Sequence, residues 1–157
     1  MSGQTFSAGN KVKGVDLTNI VYQNEDGVSA AATTSGSDTT TSSSFANLAG
    51  TGSVTSFSFT KALTSTRLIV RLEMGWQNAT AVSDMSAGVN VNSTDYEVAR
   101  QSLNTTTNIG YVAGFVIISG LTAGVYTVQG RWKRRSGSGT PTRSSTEWLA
   151  ISCAEIT

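Results

Sequence analysis

Arg67-Leu68-Ile69-Val70-Arg71-Leu72-Glu73-Met74-Gly75-Trp76 is the stretch that decides how this chain folds. Leu68, Val70, Leu72, Met74 and Trp76 occupy every second position, and Arg67, Arg71 and Glu73 fall between them. Successive side chains of a strand point to opposite faces, so a period of two separates an apolar face from a charged one. The stretch therefore predicts an antiparallel strand with one face in a core and the other in water.

The same period extends in both directions. Phe57 and Phe59 alternate with Ser56, Ser58 and Thr60, and Tyr126, Val128, Gly130 and Trp132 alternate with Thr127, Gln129, Arg131 and Lys133. Val89 and Val91 predict a shorter strand, with a turn around 92–95 leading to Tyr96 and Val98. Tyr111 to Ile118 is apolar on both faces and is expected in the interior of a sheet. Gly120 to Gly124 makes a turn, Ser136-Gly137-Ser138-Gly139 a loop, and a final strand runs from Glu147 to Ile156. Short strands punctuated by turn residues, without a long helix, predict an all-β fold: an antiparallel β-sandwich of jelly-roll type, with an up-and-down barrel as the alternative.

The composition agrees. At 157 residues the chain fits one core, and only 13% of its residues are charged. Helices need Glu and Lys on their exposed faces, whereas a surface of Ser, Thr, Gly and Asn suits strands and turns. The front of the chain differs. Residues 1–24 form a leader in which Asp16, Leu17, Ile20 and Val21 have the spacing of one or two helical turns behind an N-cap. A Ser/Thr/Gly run follows from Thr33 to Ser44, too poor in apolar side chains to build a core of its own. Such a run either lies as an edge strand along the domain or is gripped by a neighbouring subunit; the second is the expectation. The division predicted is thus an extended arm over 1–44 and a sandwich over 45–157.

Much chemistry is excluded by what the chain lacks. No histidine occurs in the sequence, so neither a Ser-His-Asp nor a Cys-His nucleophile is available, and the commonest metal ligand is missing. Cys153 is the sole cysteine; lying in an apolar run, it is expected to be a buried free thiol. No catalytic residue, cofactor or metal site is expected. The carboxylates Asp95 and Glu97, two apart on one strand, are the nearest thing to an acid–base pair, and nothing beside them suggests a glycosidase. Ser136 to Thr140 lacks the spaced glycine and the Lys-Ser/Thr of a phosphate-cradling loop and is read as a hairpin loop.

Net charge is +1, which singles out no electrostatic partner. Residues 1–44 carry Lys11 and Lys13 against Asp16, Glu25, Asp26 and Asp38, a weak acidic excess. Met1 precedes a polar Ser2-Gly3-Gln4, so no secretory signal is expected; no run is long enough to insert in a membrane. Arg131, Lys133, Arg134 and Arg135 form a basic run, with Arg143 across the loop. A solvated or protein-contacting face is the first reading, an ion-pair site between subunits the second; nucleic acid is not expected, since only Trp132 could stack on bases there. Trp76 and Trp132 sit on apolar faces and are read as core, whereas Trp148 is the candidate for an exposed aromatic contact.

Two segments resemble a known group. The leader Phe6-x-Ala8-Gly9-x-Lys11-Val12-x-x-x-Asp16-Leu17-x-Asn19 resembles the opening of small structural proteins of tailed bacteriophages, the minor tail proteins. Leu121-x-Ala123-Gly124-x-Tyr126-Thr127-Val128-x-x-Arg131-Trp132, with Trp148-Leu149-x-Ile151 to Glu155-Ile156, is similar to the last two strands of phage virion sandwiches in tail fibres, tail tips and head decorations. The resemblance implies a non-enzymatic protein on the virion surface that binds other capsid or tail subunits, commonly as a homo-oligomer such as a trimer. Partner contacts are then expected at Phe6, Val12, Leu17, Ile20 and Tyr22 of the leader, at Arg131, Lys133, Arg134 and Arg135, and at Trp148. A head-decoration (cement) protein and a carbohydrate-binding module for a host glycan, with Trp148 and Tyr96 as its platform, are the alternatives.

Overall fold

A computed structural model describes residues 30–33, 37–50, 53–78, 81–104, 109–143 and 149–156. The leader lies outside them, and with it the helical turn expected at 16–21. Among the described residues thirteen strands follow one another: β1 (Ala30–Thr33), β2 (Asp38–Thr39), β3 (Ala46–Asn47), β4 (Ala49–Gly50), β5 (Ser53–Val54), β6 (Ser56–Lys61), β7 (Arg67–Asn78), β8 (Ser83–Val91), β9 (Thr94–Leu103), β10 (Gly110–Ile118), β11 (Gly124–Gly137), β12 (Pro141–Arg143) and β13 (Leu149–Ile156). Every pairing is antiparallel.

The pairings are nested. β8 pairs with β9, β7 with β10, β6 with β11 and β1 with β13. One long ribbon, closed at the β8–β9 hairpin, has rolled up into two sheets, which is the jelly-roll form of the sandwich. The first sheet runs β1-β13-β7-β10, with β12 and β2 along the far end of β7; the second joins β3 and β6 to β11, then β8 and β9. At the hairpin tip Asn92 and Ser93 both have positive φ, 53° and 62°. Two such residues form the tight turn whose twist matches that of its strands.

Between the sheets lies the core that the period of two foretells. Leu68, Val70, Leu72, Met74 and Trp76 of β7 are wholly buried, facing Met85, Ala87, Val89, Val128 and Trp132 from the other sheet. Trp76 ties the layers together, its Nε1 donating to Gln101 Oε1 of β9 at 2.7 Å. Gly114 lets β10 pass under β9: a Cβ there would stand 2.7 Å from the carbonyl oxygen of Val98. Cys153 is buried as expected, and burial, with the Glu155 charge adding to it, pushes its thiol up to about 12.

Two expectations change. The Ser/Thr run is not wholly a tether, because β1 pairs with β13 and β2 with β12. At these positions the chain pairs with its own sheets, as the edge-strand alternative has it. The reason is that an edge strand is held by main-chain hydrogen bonds, which leave no apolar pattern in the sequence. The second concerns β10. Residues 68–74 of β7 pair with β13 on one side and β10 on the other, which makes β10 the outermost described strand and not an interior one. Val112 and Ile118 are buried against the core, but Tyr111, Phe115 and Ile117 face outward into water.

Candidate interaction surface

Arg131 and Lys133 take the outward positions of β11, as their alternation with Trp132 requires, since Trp132 is wholly buried. Their cross-strand neighbours on β8 are Gly88 and Ser86, both small. Long side chains can therefore lie over β8 and reach β9, about 10 Å away at two strand spacings. Arg131 Nε meets Asp95 Oδ1 at 3.1 Å, and Lys133 Nζ meets Glu97 Oε2 at 3.9 Å.

The rest of the Arg131 fork is also filled from within the chain. Its Nη2 donates to the Phe45 carbonyl at 2.7 Å and its Nη1 to Asn47 Oδ1. The Phe45 ring lies so close over Gly88 that a Cβ there would come within 2.8 Å of it. Lys133 Nζ stands 4.4 Å from the centre of that ring, a cation–π contact. A β-bulge completes the arrangement. The register slips at Val98, between the Ala87 and Gly88 pairings, so Glu97 and Arg100 share one face although three residues apart, and Arg100 Nε donates to Glu97.

This geometry answers the question of the paired carboxylates. Asp95 and Glu97 do share a face, but each is bound by a cation of its own chain, and Asn90 Nδ2 also donates to Asp95 at 2.7 Å. Burial pushes the Glu97 carboxyl up, yet the Arg100 hydrogen bond and the Arg100 and Lys133 charges outweigh it and hold it low. A proton donor needs the opposite shift. What the surface offers is a plate of paired charges, three cations to two carboxylates; exposed ion pairs of this kind contribute about 0–1 kcal/mol each.

Of the other singled-out residues, Arg134 donates from Nη1 to the Gly139 carbonyl at 3.2 Å, and its N–H to Ser42 O at 2.9 Å; it holds the 136–140 loop. Arg135 is exposed. Arg143, across the loop, is buried and donates to Ala49 O at 2.9 Å. Phe6, Val12, Leu17, Ile20, Tyr22 and Trp148 lie outside the described residues. Tyr96 is no exposed platform: it pairs with Val89 and packs against the core.

A second surface is one the sequence pattern does not mark as exposed. On the outside of the first sheet, Tyr111 is 59% exposed, Phe115 57% and Ile117 43%, with Ile109 just before them at 60%. Their neighbours across β7 are Gly75, Arg71 and Ile69, in that order, from Tyr111 to Ile117. The available signal was the run of apolar residues itself, which reads as an interior strand when both faces are assumed to be covered.

No protein-family model and no curated protein matches the chain. Among solved structures it is similar to the PRD1 vertex protein P5, at 14% identity and a TM-score of 0.44, over 82% of this chain and 96% of that one. It is also similar to the infectious bursal disease virus VP2 subviral particle protein, at 11% identity and TM-score 0.43, over 85% and 42% of the two chains. Eiger TNF from S. frugiperda aligns at 10% identity and TM-score 0.42, over 82% and 93%. Each is a distant likeness of fold.

Proposed function

We propose that this chain is a non-enzymatic structural component of a tailed-bacteriophage particle, of the minor tail or fibre type, displayed on the virion surface and working through contacts with other virion subunits. The observation that carries the reading is the phrase Phe6-x-Ala8-Gly9-x-Lys11-Val12-x-x-x-Asp16-Leu17-x-Asn19 standing ahead of a nested β-sandwich. The plate of paired charges around Arg131 and Asp95 supports it, because a surface whose charges are already paired can be buried against a neighbour without stranding a charge. A head-decoration protein would use the same domain, and the closing sequence Leu121 to Ile156 favours it equally. In either role the leader ahead of Ala30 docks on the particle, with Phe6, Val12, Leu17, Ile20 and Tyr22 as its apolar contacts, and the sandwich faces outward.

Deleting residues 2–29 tests the docking role, since it leaves every described strand intact. The truncated chain is expected to unfold at an unchanged denaturant midpoint and to be lost from purified particles. Incorporation at the level of the full chain refutes the assignment of the leader.

A further inference from the structure

We propose that copies of this chain associate with one another through the outer face of the β1-β13-β7-β10 sheet, centred on Tyr111, Phe115 and Ile117 of β10. With Ala113 between the first two, these residues take successive outward positions, so they form a continuous line about 20 Å long at the rise of a strand. With Ile109 they leave roughly 400 Å² of apolar side chain in water, taking about 200 Å² for each whole side chain. Soluble monomers rarely expose a contiguous apolar patch larger than a few hundred Å².

The character of β10 sharpens the point. Its sequence, Gly110-Tyr-Val-Ala-Gly-Phe-Val-Ile-Ile118, contains no charge and no proline, the devices that keep an exposed edge from pairing with other chains. β9, the outermost described strand of the other sheet, has them: Asp95, Glu97 and Arg100. One rim is protected and the other is left apolar, as suits a face that is covered in the assembled state.

Charge selects the occupant. The cross-strand neighbours of Phe115 and Ala113 are Arg71 and Glu73, opposite charges two residues apart on the same outward face. A second copy brings Glu73 to Arg71 and Arg71 to Glu73, so the face is complementary to itself. Glu73 also interrupts the positive field of Arg67 and Arg71 on that face, where a lipid or nucleic-acid surface would call for basic side chains alone. Size also fits: a stable interface buries about 800 Å² on each partner, and the stripe supplies about half of that as its apolar centre. Ile69 and the half-buried Ala150 and Ser152 of β13 continue the same face.

The inference rests on the reading that the chain works through subunit contacts, but it is tested on the isolated protein, so its failure and that of the particle assignment are distinguishable. Sedimentation equilibrium of the full chain across the micromolar range is expected to give an oligomer. Phe115→Glu and Tyr111→Arg should each weaken association at least about thirtyfold, the loss typical of a central interface aromatic, while leaving the unfolding midpoint unchanged at dilutions where the natural chain is dissociated. Val125→Glu, at a position 70% exposed on the other sheet, should associate as the natural chain does. A natural chain that is monomeric throughout overturns the proposal, whether its own leader or a different protein covers the stripe. So does an oligomer that survives both stripe substitutions.

Discussion

Glu155→Ala is expected to lower the free energy of unfolding by about 3–5 kcal/mol, the cost of stranding one member of a buried ion pair. Lys61 and Glu155 are 1% and 2% exposed, and Lys61 Nζ lies 3.8 Å from Glu155 Oε1. The carboxylate also accepts hydrogen bonds from the Ala62 N–H at 2.8 Å, the Leu63 N–H at 2.9 Å and the Thr66 hydroxyl. It thereby fastens the β6–β7 turn to the last strand. Alanine leaves a buried ammonium with Thr66 Oγ1, at 3.0 Å, and the Leu63 carbonyl as its remaining partners, and it takes the acceptor from two main-chain donors. Lys61→Met should cost less, because the carboxylate keeps three donors.

The same group makes stability depend on pH. Burial alone pushes the Glu155 carboxyl up, but the Thr66 and main-chain hydrogen bonds and the Lys61 charge outweigh it and hold it below the ordinary value of 4.5. The stabilisation is thus complete above that ordinary value and is lost as pH falls through the lower, folded-state value. Urea unfolding from pH 7 down to pH 3 should show the natural chain losing more stability than Glu155→Gln. Equal acid sensitivity in the two would rule out this role for the carboxylate.

Trp76→Ala is expected to cost about 3–5 kcal/mol, at the upper end of that range. Trp76 is wholly buried, and its indole spans the gap between the sheets to reach Gln101. Truncation opens a cavity in the middle of the sandwich and also leaves Gln101 Oε1 without its donor. Trp76→Phe keeps most of the volume and removes the hydrogen bond, so about 1–3 kcal/mol should be lost. Denaturant titration separates the two, with a shifted midpoint and an unchanged slope expected for both. A loss below 1 kcal/mol for the alanine variant would mean that Trp76 does not join the layers.

The architecture was legible wherever one face is apolar and the other polar. β7 and β11 show this: alternation alone put Trp76 and Trp132 inside and Arg131 and Lys133 outside. It failed where that contrast is missing. β10 is apolar on both faces, and sequence does not say whether the second face meets another element of the chain or something outside it. Lys61 also broke the pattern, continuing the inward series of Phe57 and Phe59, because its partner Glu155 is supplied by the far end of the chain. The bulge at Val98 shifts the alternation by one and brings Glu97 beside Arg100, which strict alternation forbids. The carboxylates and cations of the candidate site were therefore visible individually, whereas their mutual pairing depends on registers that only the folded sheet shows.

The claim beneath the functional account is that this chain is built into a phage particle and does its work there. Gold-labelled antibody against the sandwich, applied to purified particles from cells that carry the phage and imaged by electron microscopy, tests it most directly. Gold at one defined place on every particle, on the tail or over the head surface, is the expected result. Bare particles, with the chain abundant in the lysate that produced them, are the contrary one.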